Sequence, residues 1–443
     1  MIAALAACGD EESVRREAYA STYEALPSDP VLIRGATILT GTGERLEEAD
    51  ILMRHGRIAA VGPALDAPRG ARIVDGSGRW VTPGIIDVHS HLGVYPSPGL
   101  QAHSDGNEMT APVTAEVWAE HAVWPQDPGF VTALAGGVTA LQILPGSANL
   151  IGGRTVTLKN VPARTVQAMK FPGAPQGLKM ACGENPKSVY GSRNQAPSTR
   201  MGNVAGYRKA WIEAAEYMQK HEAGTADGET PTKDPAMETL AGVLRGEILV
   251  HNHCYRADEM AVMLDVADEF GYRVTAFHHA VEAYKIADLL AERDVCAAVW
   301  ADWWGFKLEA FDTVRENAPL IDAAGACAIV HSDSEEGIQR LNQEAAKAMA
   351  AANRAGMAVE PALAITWLTR NAARALGIDG ATGTLEAGKM ADVVVWSGDP
   401  FSVYTLADEV YIDGALVYDR ADPSRQPVTD FTVGTTESTG GLR

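Results

Sequence analysis

The feature that most constrains this chain is an apolar strand that ends in two histidines. Residues 82–91 read Thr-Pro-Gly-Ile-Ile-Asp-Val-His-Ser-His, so His89 and His91 are separated by one residue. Because side chains alternate between the two faces of a strand, both imidazoles point to the same side. Two imidazoles at the carboxyl end of a buried strand can bind a divalent metal ion. Taken alone, the stretch is also compatible with two histidines that have a structural role in a loop.

The central part of the chain repeats one pattern, in which a short apolar strand is followed by a helix. The alternation extends over residues 84–387 and includes apolar runs such as 247–253 and 296–300. Strands that alternate with helices over about 300 residues are typical of a (β/α)8 TIM barrel, an α/β fold. A doubly wound open sheet is the alternative, but no GxGxxG turn supports it. We therefore predict a metal-dependent TIM-barrel domain over residues 84–387.

The two ends of the chain carry strand patterns of another kind. Residues 31–40 read as a strand and residues 49–62 as a hairpin, while residues 409–419 form a second hairpin near the other end. Neither group contains enough strands to bury a core alone. We predict that residues 30–83 and 388–425 combine into one small β-sandwich, which encloses the central insertion. Residues 426–443 are predicted to be a C-terminal tail.

Residues 1–29 are predicted to be a signal remnant and a tether. Leu5-Ala-Ala-Cys8 resembles a bacterial lipoprotein box, in which the cysteine carries the lipid. This pattern favours an exported protein, either periplasmic or attached to a membrane through lipidated Cys8. The alternative is the ordinary apolar N-terminus of a cytoplasmic protein, because the apolar stretch is short and lacks a basic region before it.

The remaining cysteines are scattered and form no CxxC motif. They are Cys182, Cys254, Cys296 and Cys327. Each lies in or beside an apolar stretch, and nothing in their spacing indicates a dense disulfide framework. We therefore expect four buried free thiols.

The charge of the chain limits the classes of partner that it can bind. The formal net charge is −20 at pH 7, with 57 acidic and 37 basic residues. A chain this acidic is a poor candidate for binding nucleic acid or an anionic membrane through charge. No apolar run is long enough to cross a bilayer. We expect a small-molecule substrate, no nucleic acid, and assembly into a homo-oligomer.

Polar side chains recur where the predicted strands end. In a TIM barrel the carboxyl ends of the strands meet on one face, where the chemistry takes place. The candidates are His89 and His91, Lys179, His251 or His253, His278 or His279, and His331 or Asp333. His251 and His253 share a face, as do His331 and Asp333, and the position nearer the strand end favours His253 and Asp333. His278 and His279 point to opposite faces, so at most one of them is expected in the barrel mouth.

Lys179 is an unusual neighbour for a metal ion, because an ammonium group repels a cation. It becomes a ligand if CO2 converts the amine into an anionic carbamate, which can bridge two metals. The alternative interpretation is an ordinary lysine in a salt bridge.

These motifs together resemble the amidohydrolase superfamily, especially its imidazolonepropionase-like and Xaa-Pro-dipeptidase-like members. The matching segments are Pro83–His91, Gly137-Val-Thr, Leu178-Lys-Met-Ala, His253–Asp258, His279–Asp288, Ser332-Asp333, and the closing signature over residues 383–395 and 398–401. The resemblance covers nearly the whole chain after residue 30. It is specific for the superfamily and much less so for the substrate.

The resemblance implies a site with two divalent metal ions, expected to be zinc. Carried over by position, His89, His91 and Asp333 bind one metal, and carboxylated Lys179 bridges to a second metal held by His253 and His279. A different member motif makes Glu184 the alternative to Lys179. The implied reaction is hydrolysis of an amide or peptide bond in a dipeptide, an N-acyl amino acid or a cyclic amide. Asp333 transfers the proton of the attacking water, and His279 or a backbone group stabilises the oxyanion.

Substrate recognition is signalled only weakly. Tyr255 and Arg256 follow His253 and can bind a substrate carboxylate; helix capping or packing is the alternative for both. The loop 146–154 is expected to line the pocket, and residues 93–126 form either a lid or a surface excursion.

Two other functions are compatible with the same fold. One is a catalytically inactive scaffold, but such members lose ligands, and here every ligand position is filled. The other is a mononuclear deaminase, in which a His-Xaa-Xaa-Glu motif follows the fifth strand. The sequence His253-Cys-Tyr-Arg does not fit that motif.

Overall fold

The computed structural model describes residues 19–97, 99–226, 232–303 and 305–426. The predicted lipoprotein box with Cys8, most of the predicted tether, and the tail from residue 427 onward lie outside the described residues. In the described part, the strands are β1 (Val31–Leu39), β2 (Arg45–Arg54), β3 (Arg57–Gly62), β4 (Arg72–Asp75), β5 (Trp80–Pro83), β6 (Ile85–Ser90), β7 (Val138–Ile143), β8 (Ile151–Lys159), β9 (Gly177–Ala181), β10 (Leu249–His253), β11 (Ala276–His278), β12 (Cys296–Val299), β13 (Cys327–Val330), β14 (Val393–Trp396), β15 (Ala407–Ile412) and β16 (Ala415–Asp419).

The helices lie mainly between the central strands, and their ends follow local capping rules. They are α1 (Pro128–Ala135), α2 (Glu184–Gly191), α3 (Arg200–Ala226), α4 (Pro235–Leu244), α5 (Ala257–Phe270), α6 (Ala287–Glu292), α7 (Asn317–Ala323), α8 (Leu341–Arg354), α9 (Pro361–Ala364) and α10 (Arg370–Ala375). Asp127 and Asp234 accept backbone N–H groups at the starts of α1 and α4, and each is followed by a proline. No helix in the described ranges is both long and apolar enough to span a membrane.

Strands from both chain ends form one sheet with a core of its own. The order is β16-β15-β14-β5-β1-β2-β3, and β4 pairs with β1. The join between the two ends is the antiparallel pair β5–β14, in which Val393 lies opposite Pro83. Ile33, Ile51, Val393 and Tyr411 are buried in a cluster that both ends supply. The two ends depend on each other for burial, as expected for strand groups too small to fold alone.

The central strands form an eight-stranded sheet that is nearly closed into a barrel. The order runs from β6 to β13 in sequence. Its two edges are connected by a hydrogen bond in which the Asp333 N–H donates to the His89 carbonyl at 3.0 Å. The predicted fold class, a TIM barrel with an added β-domain, is confirmed.

One barrel strand departs from the prediction. Residues 146–154 were expected to be a loop, but β8 begins at Ile151 and runs antiparallel to both β7 and β9. The adjacent glycines Gly152 and Gly153 conceal the strand, because glycine is rare in strands. Gly153 has φ +118°, and a methyl group there would lie 2.4 Å from the Val117 carbonyl oxygen.

Residues 361–376 do not form one continuous helix. A short 3-10 turn, Ile365–Leu368, separates α9 from α10, and Thr369 between them has φ −131° and ψ −89°. Its hydroxyl donates to the Ile365 carbonyl at 2.8 Å, a local bond that competes with helix continuation.

A buried cluster of charges connects the barrel to the sheet domain. The Lys159 Nζ, at the end of β8, lies 2.7 Å from an Asp413 carboxylate oxygen and 3.2 Å from one of Asp392. The hydroxyl of Tyr23 donates to the same Asp413. Residues 19–29, predicted to be part of a tether, therefore include a segment that docks on the folded domains; the Thr22 N–H also donates to the Gln167 carbonyl.

The prediction of four free thiols is wrong. Cys182 pairs with Cys254, and Cys296 pairs with Cys327. Each disulfide joins neighbouring parallel strands: the first links the residues just after β9 and β10, and the second the first residues of β12 and β13. Sequence separations of 72 and 31 carry no signature, so only the strand order reveals the pairing.

We predict that Lys159→Met lowers the free energy of unfolding by about 3–5 kcal/mol, because it leaves two buried carboxylates without their cation. Urea unfolding measures the change. The control is Lys209→Met, which removes an exposed lysine beside Glu213 and is expected to change stability by less than about 0.5 kcal/mol. Equal stability of the two variants would show that the cluster does not hold the domains together.

Candidate metal centre

Three of the predicted ligands meet where β6 and β13 end. His89 and His91 lie at the end of β6, and their Nε2 atoms are 3.5 Å and 3.3 Å from the same Asp333 carboxylate oxygen. The Nδ1 of His91 is hydrogen bonded to the Leu144 carbonyl at 2.9 Å. That bond places the His91 proton on Nδ1 and leaves the Nε2 lone pair directed toward Asp333, as a metal ligand requires.

The other predicted ligands lie beside this group. The Lys179 Nζ is 3.5 Å from the His89 Nε2. The ring of His279 is 4.4 Å from that of His89 and 4.8 Å from that of His253. The His279 Nδ1 is 3.8 Å from the second Asp333 oxygen. The structure therefore brings together all six residues predicted as ligands, from five different strands.

Buried nitrogen atoms without partners show that this cluster is suited to cations. Both ring nitrogens of His253 and the Nδ1 atoms of His279 and His331 have no hydrogen-bond partner among the described residues. Buried polar atoms are nearly always paired, because an unpaired one costs free energy. Imidazole nitrogens and a carboxylate are a donor set that zinc accepts.

Burial also sets the protonation of these groups. It lowers the pKa of His89, His253 and His279 well below the ordinary value. The imidazoles are therefore neutral at pH 7, and each retains a lone pair. Burial lowers the pKa of Lys179 to about 8, so a substantial fraction of its amine is neutral near physiological pH.

Two of the predicted ligands lie just beyond their strands in left-handed backbone conformations. His279 has φ +59° and Asp333 has φ +49°, a region rarely occupied by residues other than glycine. Because of the left-handed turn at His279, the side chains at 278 and 279 do not follow the simple alternation of a strand. Both residues of the pair contact His89: the His278 Nδ1 lies 2.9 Å from the His89 Nδ1, and the ring of His279 lies 4.4 Å from that of His89.

His331 also belongs to the cluster, although the sequence analysis favoured Asp333 over it as the site residue. Its Nε2 accepts the His279 N–H at 3.3 Å. Ligand nitrogens of His89, His279 and His331 all lie within 4.8 Å of one another. Strand alternation placed His331 on the same face as Asp333, so the signal was present in the sequence.

Glu184 and Arg256 have partners elsewhere. Glu184 is the first residue of α2, and its carboxylate lies 3.6 Å from the Lys307 Nζ. Arg256 pairs with Asp258 at 2.9 Å on the surface. Of the two predicted substrate residues, only Tyr255 adjoins the cluster, with its ring 4.8 Å from that of His253.

An aromatic wall that the sequence did not indicate borders the cluster. The ring of Trp300 stacks on that of His279 at 4.4 Å, and its indole N–H donates to the Ser332 carbonyl. Phe306 packs edge to face against both Tyr255 and Trp300. The Lys307 Nζ lies 4.0 Å above the ring of Tyr255. Aromatic side chains and the Lys307 ammonium group therefore lie beside the predicted ligands.

Asp87 connects the two strands that carry the first ligand group. It is buried in β6, and one carboxylate oxygen accepts the backbone N–H groups of His89 at 3.1 Å and Ser332 at 3.3 Å. The other oxygen accepts the Ser332 hydroxyl. Burial raises the pKa of Asp87 to about 6 despite these donors. The carboxylate holds the backbone of His89 close to the residue before Asp333.

Comparison with known proteins agrees with this geometry. The model of the family described as "Amidohydrolase family" matches residues 80–423, more than half of the chain. The chain belongs to the amidohydrolase family.

Individual relatives extend the comparison of this amidohydrolase. The protein named amidohydrolase tasK, from Hapsidospora irregularis, is 34% identical over 431 residues, which are 88% of this chain; the chain spans only 43% of that relative's length. An imidazolonepropionase from Caulobacter vibrioides is 26% identical over 374 residues, covering 79% of this chain and 88% of the relative. The crystal structure of an amidohydrolase from Thermotoga maritima MSB8 is 37% identical, with a TM-score of 0.82, and covers 88% of this chain and all of that one.

We predict that Asp87→Ala lowers the free energy of unfolding by about 2–4 kcal/mol, because three buried donors lose their acceptor. The matched variant Ser332→Ala removes only the hydroxyl bond, and we expect a loss of about 1 kcal/mol. Urea unfolding of the metal-free proteins measures both changes. If both variants lose a similar free energy of unfolding, the Asp87 carboxylate is not the main connection between the two strands.

Proposed function

We propose that this amidohydrolase uses two divalent metal ions, zinc in the first instance, to hydrolyse an amide or peptide bond. The observation that carries the proposal is the proximity of the six predicted ligands, among which several buried nitrogen atoms lack partners in the described part of the chain. His89, His91 and Asp333 would hold one metal. His253 and His279 would hold the other, and Lys179 lies beside His89.

Lys179 is proposed to act as a carbamate. Its neutral amine would attack CO2, form an N–C bond and release one proton, which leaves an anionic carboxylate on Nζ. Two features favour this step: burial lowers the pKa of Lys179 to about 8, and its amine lies 3.5 Å from the His89 Nε2 without forming an ion pair with any described carboxylate. Glu184 is the weaker candidate because it faces Lys307.

Asp333 is the proposed proton carrier. Two divalent cations in this site would supply an acidified water and polarisation of the scissile carbonyl. The Asp333 side chain is about one quarter exposed and His91 beside it about one fifth, whereas His89 and His279 are buried. Its carboxylate can therefore accept the proton of the attacking water and return it to the leaving nitrogen.

The substrate is proposed to combine an apolar or aromatic group with a carboxylate. Tyr255, Trp300 and Phe306 offer apolar contact, and the Lys307 ammonium offers a positive charge. In the structure, Lys307 donates to the Asn185 side-chain oxygen at 2.8 Å, and Asn185 follows Glu184. N-acyl amino acids and dipeptides have the required chemistry. The name of the Caulobacter vibrioides relative, imidazolonepropionase, keeps a cyclic amide with a propionate side chain among the candidates.

Export to an oxidising compartment, with lipid attachment at Cys8, is also proposed. Two disulfides in the described part of the chain support it, because such bonds persist mainly outside the cytosol. If the proposal is right, Cys8→Ala moves the protein from the membrane fraction to the soluble periplasmic fraction, with unchanged activity. If the wild-type protein and Cys8→Ala are found in the same proportions in the membrane and soluble fractions, lipid attachment is contradicted.

We predict that Lys179→Ala reduces kcat by at least about 10³-fold and lowers the bound metal below two ions per chain, because the second ligand set loses its bridge. Short carboxylic acids should restore part of the activity by replacing the carbamate. Elemental analysis and kinetics measure both effects, with Glu184→Ala as the control. Unchanged metal content and turnover in Lys179→Ala would contradict the carbamate.

We predict that Lys307→Met raises KM for a dipeptide with a free carboxylate by about 10- to 100-fold, since one charged hydrogen bond is lost. The same dipeptide with an amidated C-terminus should bind the two proteins equally. Arg256→Met, which removes a surface cation already paired with Asp258, is the matched control. If both substrates respond alike, Lys307 does not recognise the carboxylate.

A further inference from the structure

Three imidazoles form a chain of hydrogen bonds that leads away from the ligand cluster. The Nδ1 of His89 lies 2.9 Å from the Nδ1 of His278, and the Nε2 of His278 lies 2.9 Å from the Nδ1 of His251. All three side chains are fully buried in the barrel. Only His89 belongs to the proposed ligands, so the other two histidines have no assigned role.

The chemistry of neutral imidazole allows only two proton arrangements along this chain. Each ring carries one N–H donor and one acceptor nitrogen. If His89 donates from Nδ1, then His278 accepts at Nδ1 and donates from Nε2, and His251 accepts at Nδ1 and carries its proton on Nε2. In the reverse arrangement, the proton of His89 sits on Nε2, the atom that faces Lys179 and Asp333. Only the first arrangement leaves a lone pair for a cation.

At the far end of the chain, His251 and the buried Gln142 lie near each other, although no hydrogen bond joins them. The His251 Nε2 has no hydrogen-bond partner among the described residues, and neither has the Oε1 of buried Gln142. Gln142 donates through its amide nitrogen to the Thr155 hydroxyl at 2.8 Å, which leaves Oε1 as an acceptor. Both side chains border Gly177: a methyl group there would lie 2.9 Å from a His251 ring carbon and 3.1 Å from the Gln142 amide nitrogen. An N–H on His251 and an acceptor on Gln142 are complementary.

We propose that His278 is a positioning residue that holds His89 in its metal-binding tautomer. The inference rests on the proposed metal site. His278 accepts the His89 Nδ1 proton, fixes the plane of the ring, and keeps the Nε2 lone pair aimed at the ligand cluster before any metal binds. Contacts of this kind behind a ligand histidine typically change metal affinity by about 10- to 100-fold.

Metal affinity of variants tests the positioning role without using a substrate. His278→Phe removes both contacts, whereas the amide of His278→Asn still places an acceptor near the His89 Nδ1. Competition with a chromophoric chelator should show zinc affinity reduced by about 10- to 100-fold in His278→Phe and largely restored in His278→Asn. The absorption spectrum of the cobalt-loaded His278→Phe protein should change as well. His103→Phe, which alters an exposed histidine outside the cluster, is the control.

The tautomers themselves can be observed in the unaltered protein. Two-bond nitrogen–proton correlation spectra of protein labelled at its 11 histidines should show His278 and His251 protonated at Nε2. This measurement decides the matter even if a His278 variant does not fold. Protonation of His278 at Nδ1, or wild-type affinity and cobalt spectrum in His278→Phe, overturns the inference. Absence of metal binding in the wild-type protein instead overturns the proposed function.

Discussion

Polar side chains shielded from water dominate the interior of this barrel. His89, Lys179, His251, His253, His278, His279 and His331 are each at most 2% exposed. Such groups are stable in a protein interior only when neutral and paired, or when bound to a cation. Hydrogen bonds account for His278 and for one nitrogen of His89, while several nitrogens of His253, His279 and His331 have no partner among the residues that the structure describes. The bound cation that we propose for this site would offset the free energy lost by burying these nitrogens.

The rest of the fold holds these groups at fixed positions. Asp87 joins the backbones of β6 and β13 behind His89 and Asp333. The Cys182–Cys254 disulfide joins the ends of β9 and β10, which carry Lys179 and His253. At the end of β8, Lys159 connects this strand to the sheet domain through two buried carboxylates, those of Asp392 and Asp413. Each of these contacts links neighbouring elements rather than one ligand to another, so the site geometry follows from the barrel as a whole.

Much of this arrangement could be predicted from the sequence, because barrel strands are buried and their ends converge. That rule located His89, His91, Lys179 and His253 from apolar runs alone. It did not decide between His278 and His279, because the left-handed backbone at His279 depends on tertiary contacts and allows both residues to contact His89. It did not single out Trp300, which directly follows β12, because only polar side chains at strand ends were considered, and Lys307 lies on the loop beyond that strand end. Strand β8 was missed because its glycines obscure the pattern.

Anomalous X-ray diffraction at the zinc absorption edge, from crystals grown with zinc and bicarbonate, tests the central claim most directly. The account predicts two separate peaks, one among His89, His91 and Asp333 and the other beside His253 and His279, with electron density for a carbamate on Lys179. A site without zinc, or a single peak next to an unmodified Lys179, would contradict the binuclear centre.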